Sequence, residues 1–293
     1  MFLVTRETCP VCASKKYNPF LTCKDYTVSN QYFNIVSCES CGFKFTNPVP
    51  DESNIGKYYK SENYVSHSDT KKGLINKLYH TVRDITLKQK LALINNPSPK
   101  GKILDIGCGT GYFINTCKND GWNITATEPD EDARKQACGL IGQDVESDLF
   151  NIKDINSFNI ITMWHVLEHI HQLNESIAHL YTLLKPNGTI VIAVPNCESR
   201  DAKTYKEYWA AYDVPRHLYH FTQSTMDKLL VNHGFEKIKT VPMKFDAFYI
   251  SMVSEKYKKG KSNLLLSFLN GIKSNFSAKD NNYSSIIYIY RKK

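Results

Sequence analysis

The stretch Leu104-Asp105-Ile106-Gly107-Cys108-Gly109-Thr110-Gly111-Tyr112-Phe113 decides how the rest of the chain is read. The apolar run "KILDI" ends in three glycines at alternating positions, and a helical pattern starts at Tyr112. Glycines here let the backbone turn tightly and approach a ligand without a side chain in the way. The spacing G-x-G-x-G differs from the dinucleotide fingerprint, and no Gly-Lys-Ser/Thr follows to make a phosphate loop. At the end of the next strand, "NITATE", stands Glu128, placed to accept hydrogen bonds from both hydroxyls of a ribose. Its other reading is an acidic residue opening a helix with Asp130.

Working outward, apolar strands and helices alternate. "YFINTCKNDG" reads as a helix closed by Gly121, and "FNIITMW" as a strand. "HVLEHIHQLNESIAHLYTLL" reads as a helix ending at Pro186-Asn187-Gly188, and "TIVIAV" as another strand. This order predicts a parallel sheet covered on both faces, with "SSIIYIYRKK" as a late edge strand. Upstream, Leu74, Leu78, Ile85, Leu91 and Ile94 mark an amphipathic helix that "NNPSP" terminates.

Composition sets the bounds. The chain has 293 residues, 42% hydrophobic and 23% charged, which is ordinary globular usage. Its 37 basic and 29 acidic residues give a net charge of +8, but the lysines are scattered and form no basic stripe. No apolar run approaches a membrane span, and "MFLVTRETCP" lacks a signal-peptide core, so a reducing cytoplasm is the expected compartment. In that setting clustered cysteines more often bind metal than form disulfides. Of nine cysteines, Cys9 and Cys12 form "CPVC" and Cys38 and Cys41 form "CESCG", two knuckles with the spacing of a four-thiolate structural zinc site.

The ordered strings "LDIGCGTG", "TEPD", "FNIITMWHVLEHI" and "LLKPNGTIVIAVPN" resemble the class I S-adenosylmethionine-dependent methyltransferases. The nearest branch contains ubiquinone-pathway O-methyltransferases and bacterial sugar or secondary-metabolite methyltransferases. The resemblance implies a Rossmann-like α/β fold with a seven-stranded sheet, joined here to a small amino-terminal zinc-binding module. It implies S-adenosylmethionine as cofactor, with Asp105, Gly107, Cys108, Gly109 and Gly111 near the methionine part and Glu128 on the ribose. Trp164 and His165 are further candidates for cofactor contact. Asn159, where the family usually has aspartate, stays outside the site.

Two histidine clusters offer chemistry. A helix would place His165, Glu168 and His169 on one face, as a general base or a divalent metal site. "YDVPRHLYHFT" (Tyr212 to Thr222) reads as a loop beyond a sheet strand, where Arg216 could clamp an anionic group and His217 could take a proton. The alternative is a structural ion pair between Arg216 and Asp213. His217 and His165 are thus the candidate bases for methylating a hydroxyl, while Tyr58, Tyr59 and Tyr64 could wall the acceptor pocket or pack the zinc module. The organisation expected is a zinc ribbon over residues 1–50, a lid and helix over 51–99, and a methyltransferase domain over 100–293. The partner expected is a small sugar, phenol or nucleotide-linked acceptor. RNA guided by the ribbon, and a non-enzymatic zinc interaction module on a degenerate cofactor fold, are the competing readings.

Overall fold

The computed structural model describes residues 3–59, 74–95, 100–261, 264–278 and 281–293. The candidate pocket residue Tyr64 lies outside them. The amino-terminal part carries β1 (Leu3–Val4), β2 (Tyr17–Lys24), β3 (Tyr32–Cys38), β4 (Lys44–Thr46) and β5 (Val49–Pro50), and α1 follows at Leu74–Asn95. The glycine-rich stretch then unfolds as expected: β6 (Lys102–Ile106), the turn, α2 (Tyr112–Asn119), β7 (Asn123–Thr127) and α3 (Glu131–Ile141). Next come β8 (Phe158–Trp164), α4 (Leu173–Leu183), β9 (Leu184–Pro195), α5 (Arg200–Tyr205), β10 (Tyr219–His220) and α6 (Gln223–Asn232). The chain closes with β11 (Phe235–Pro242), α7 (Asp246–Lys259), α8 (Leu264–Phe276) and β12 (Ser285–Lys292).

The main sheet runs β11-β12-β9-β8-β6-β7. β6 to β9 are parallel, and β12 lies antiparallel between β9 and β11. Strands buried on both faces suit runs such as Ile190–Val194, all fully buried. β12 is therefore an interior strand and not the edge strand its alternation suggested. Six strands are found among the described residues, where seven were expected. Beyond β7 the seventh is reduced to one parallel bridge, Thr127 to Glu146. The segment "GQDVESD" (142–148) holds a single large apolar residue, Val145, too little to sustain a strand on the edge.

Two local expectations are corrected. No α-helix begins at His165: the chain turns there at φ +57°, makes a short 3₁₀ turn over Leu167–His169, and enters α4 only at Leu173. The Glu168 carbonyl, which an α-helix would need, instead accepts the amide N–H of Leu218 at 2.8 Å. The segment "YDVPRHLYHFT" is likewise no open loop. Its Tyr219 and His220 form β10, which pairs antiparallel with β4 and completes a four-stranded sheet, β10-β4-β3-β2.

The cysteine-bearing sheet is thus finished by a strand from far along the chain. Phe43 and Phe45 pack with Tyr219 and Phe221, in a hydrophobic cluster that continues to Leu104 and Met163 of the main sheet. At the same joint Arg216 is only 1% exposed. Its Nε and Nη2 donate to Asp213 at 2.9 and 2.6 Å, Nη2 also donates to Asp25 at 3.0 Å, and Nη1 donates to the Tyr58 carbonyl at 2.9 Å. Burial opposes the charge on Asp25, but Arg216 and the hydrogen bonds from Ser29 together outweigh it and hold the carboxyl below the ordinary range. Arg216 is a structural tie and not a clamp for substrate, as the ion-pair alternative allowed.

Removing one partner of a buried pair strands the other charge. Arg216→Ala should therefore lower unfolding free energy by about 3–5 kcal/mol in urea titrations. A loss below about 1 kcal/mol, typical of an exposed pair, would show that the tie does not hold the joint.

Candidate active site

β6 ends at Asp105 and Ile106, and the turn that follows is shaped by close packing. At Gly107 (φ +64°) a Cβ would lie 2.6 Å from a methyl of Val166, and at Gly111 (φ +85°) 3.0 Å from the Ala137 backbone. Both positions therefore need glycine twice over, for the left-handed backbone and for space. Gly109 turns its N–H toward Glu128, whose Oε2 accepts it at 2.8 Å. The other oxygen, Oε1, accepts the Asp130 N–H at 2.9 Å. The cap of α3 is Asp130 itself, accepting from the Ala133 N–H at 2.8 Å. Glu128 is thus not a mere helix opener; it ties the end of β7 to the glycine turn. Cys108 sits half-buried in the turn, and burial pushes its thiol well up, so it is no thiolate.

Near Asp105 stands a lysine that no motif announced. Lys90 of α1 places Nζ 4.2 Å from the Trp164 ring centroid and 5.8 Å from that of Phe113. Trp164 and Phe113 meet edge to face at 5.2 Å, and the buried Trp164 Nε1 finds no acceptor among the described residues. Asp105 accepts from Thr162 Oγ1 at 2.6 Å. Burial raises Asp105 to about 7, against the opposing pull of Thr162 and Lys90, and lowers Lys90 to about 8 despite Asp105 and Asp246. A signal for Lys90 was present: Leu87, Lys90, Leu91 and Ile94 share one helical face, and a lysine among them is out of place. Ile85, counted on that face, is instead exposed.

Past Trp164 the histidines separate. His165 donates from Nε2 to Asp246 Oδ2 at 3.0 Å and from Nδ1 to Glu168 Oε1 at 3.3 Å. Two carboxylate acceptors require both ring nitrogens to carry protons. Burial disfavours that charge, but Asp246 and Glu168 prevail and raise His165 to about 10. Desolvation opposes the charge on fully buried Glu168, but His165, with His217 and His169 adding to it, holds the carboxyl below the usual range. At neutral pH His165 is a cation and holds no lone pair for a base.

His217 differs. Its Nδ1 lies 2.8 Å from the Ala211 carbonyl, which only accepts, so Nδ1 carries a proton and the tautomer with its lone pair on Nε2 is the one this contact selects. The His169 ring meets it edge to face at 4.6 Å. Burial, with His217 adding to it, lowers His169 to about 4. His169 Nδ1 faces Tyr59 Oη at 2.9 Å and the Arg216 carbonyl at 3.1 Å. Glu168, His169 and His217 each offer a ligand atom within 4.8 Å of the others, so His217 takes the place expected of His165 in this group. Tyr59 joins the site, whereas Tyr58 is buried edge to face against Phe33 and packs the joint. Asn159 lies at the far end of β8, accepting from the Lys102 N–H and Lys185 Nζ, both at 3.0 Å.

In the amino-terminal sheet, Cys9 Sγ lies 3.6 Å from Cys41 Sγ and Cys12 Sγ 3.5 Å from Cys38 Sγ, with all four within 4.8 Å. Thiolates about 2.3 Å from a zinc ion form a tetrahedron with edges of about 3.8 Å. The four sulfurs fit such an ion. Each knuckle is a tight turn, closed by Ala13 N–H to the Cys9 carbonyl and Gly42 N–H to the Cys38 carbonyl.

This fold and turn define a class. Residues 78–240, more than half of the chain, match the family described as "Methyltransferase domain", and the chain belongs to that family. It is an S-adenosylmethionine-dependent methyltransferase. It is 23% identical over 205 residues to the ubiquinone biosynthesis O-methyltransferase of Rickettsia canadensis, covering 64% of this chain and 84% of the relative. The counterpart from Rickettsia typhi is 22% identical over 161 residues and matched over 64% of its own length. Among solved structures, magnesium protoporphyrin IX methyltransferase from Synechocystis PCC 6803, with bound S-adenosylhomocysteine, shares the fold at TM-score 0.55 and 14% identity. That match covers 83% of this chain and 100% of the other. A methyltransferase from Archaeoglobus fulgidus matches at TM-score 0.50 and 20% identity, over 72% of this chain and 94% of its own.

The His165 clamp has a pH signature. A folded-state value raised above 6.5 to about 10 contributes stability that is complete below 6.5 and lost as pH rises through about 10. Nitrogen-15 spectra should show both His165 nitrogens protonated at neutral pH while His169 stays neutral. A neutral His165 ring there would remove the clamp.

Proposed function

We propose that this chain O-methylates a small hydroxylated or glycosyl acceptor at the group around His217, with a zinc ion structuring the amino-terminal sheet. The cofactor supplies an electrophilic methyl group on a sulfonium. The residues of the chain hold it, orient the acceptor and move one proton. Glu128 would accept from the ribose hydroxyls, and the glycine turn leaves the backbone open to the ligand beside it. Lys90 stands over the Trp164 ring, and together a cation and an unmatched indole N–H suit the carboxylate of the methionine part. The first-named relative is an O-methyltransferase, which favours oxygen as the acceptor atom.

The observation that carries the base assignment is the hydrogen bond from His217 Nδ1 to the Ala211 carbonyl. It orients a lone pair on Nε2, next to buried Glu168, whose negative charge steadies an imidazolium once the proton arrives. His165 then acts as a positioning residue: charged at neutral pH, it fixes Glu168 and Asp246. The cysteine quartet would hold zinc with every coordination position filled by protein, a structural role that takes no part in the transfer.

Three measurements test these assignments. Glu128→Ala should weaken S-adenosylmethionine binding in calorimetry at least about tenfold, as expected for losing a charge-assisted bidentate contact. Unchanged affinity would move the ribose elsewhere. With cofactor and acceptor saturating, His217→Ala should lower kcat about 100-fold or more, the usual worth of a general base. His165→Asn should shift kcat far less, and equal losses would sink the division of roles. Elemental analysis should find one zinc per chain, and Cys12→Ser with Cys41→Ser should abolish it and lower the Tm.

A further inference from the structure

α8 is built inside out. Its buried face is Ser267, Gly271 and Ser274, and a Cβ on Gly271 would lie 2.6 Å from the Phe248 ring. Ser274 donates to Asp201 at 2.9 Å. Small residues thus seat α8 closely on α7 and α5. The large apolar residues are left toward solvent: Leu265 is 70% exposed, Leu269 43% and Phe276 90%, and Phe268, whose ring stacks on Phe248 of α7 at 5.3 Å, is still 55% exposed. At 100° per residue these four fall within an arc of about 100°, opposite the serines and glycine, along about 16 Å of helix. An ordinary surface helix has the reverse polarity.

The charge beside this stripe is mostly positive, with Lys259 paired to Glu255 at 3.0 Å. Lys256, Lys258 and Lys261 stand exposed at the end of α7 and the approach to α8, and Lys273 flanks the stripe itself. From residue 256 to residue 278 the sequence holds five lysines and no aspartate or glutamate. Two copies meeting stripe to stripe would bring two such clusters together, which disfavours a second copy as the occupant. An apolar ridge with a lysine fringe suits a surface that is apolar within and anionic at its rim.

We propose that the α7–α8 hairpin docks the protein on an anionic lipid surface. The outward stripe of α8 enters the boundary between headgroups and acyl chains, and the lysines pair with lipid phosphates. No described helix is long and apolar enough to cross a membrane, so this is attachment at the surface. The hairpin begins at Asp246, which binds His165, so the docked element leads directly to the site. The inference stands on exposure and charge, apart from any reading of the acceptor.

Flotation of the full chain with extruded vesicles tests it. Vesicles of phosphatidylcholine with about one-third phosphatidylglycerol should capture the protein at low salt, at least about tenfold better than phosphatidylcholine alone. Leu265→Ser with Leu269→Ser and Phe276→Ser should lower capture about tenfold or more. Lys256→Glu with Lys258→Glu and Lys261→Glu should do the same, and neither set should move the Tm or S-adenosylmethionine affinity. Phe276→Ser alone, at the most exposed position, should give a measurable loss should the triple variant fail to fold. The proposal is overturned by wild-type protein that stays out of anionic vesicles at low salt. Full binding by the serine variants would also overturn it, leaving charge-only adsorption such as an acidic protein would share. So would a wild-type dimer that the serine substitutions turn into a monomer, since the stripe would then belong to a second copy.

Discussion

A guanidinium with almost no contact with water holds the architecture in register. Arg216 binds Asp213 beside it, Asp25 from the cysteine-bearing sheet and the Tyr58 carbonyl from the segment between the two halves. Buried charges are stable only when paired and hydrogen-bonded, so this contact demands one relative placement of three distant parts of the chain. Three residues later the same segment becomes β10, the last strand of the cysteine-bearing sheet. One residue later it presents His217 to Glu168 and His169. The joint and the candidate site are thus neighbouring positions on one rigid segment.

That closeness explains how adjacent histidines come to have different chemistry. His165, His169 and His217 share ordinary intrinsic acidity, and their surroundings divide them. Two carboxylates keep His165 charged, while burial beside a second imidazole keeps His169 neutral. A backbone carbonyl sets the tautomer of His217. The positive φ of His165 places its ring between Glu168 and Asp246, so a backbone conformation uncommon outside glycine is matched by two charged hydrogen bonds. At the strand end that leads into the glycine turn, Lys90 and Asp105 modify each other's charge.

Much of the main sheet was legible because strand and helix periodicities are local. β6, β7, β8 and the helix after the glycines stand within a residue or two of where the apolar runs placed them. The cysteine knuckles were legible for a similar reason: ligand spacing within each pair is a local property, and the two pairs then meet across one hairpin. Asp246 and Asp25 carried no signal, since each is an isolated carboxylate whose partner lies 81 or 191 positions away. The helix expected at His165 failed because the Glu168 carbonyl is taken by Leu218, a bond that no local pattern encodes.

From its sequence alone this protein was determined to have a parallel sheet, a glycine turn with an acidic partner at the next strand, and two cysteine knuckles. These depend on the periodicity of nearby residues and on the backbone freedom of glycine. The tertiary structure alone decided that "YDVPRHLYHFT" is a buried joint, that Arg216 is a tie, and that His217 turns Nδ1 to a backbone carbonyl while both nitrogens of His165 face carboxylates. It also decided which face of α8 is left toward solvent, because small residues pack against α7 more closely than leucine and phenylalanine can. In each case the cause is the same: the partner that sets a charge, a tautomer or an exposed face is brought in from a distant part of the chain.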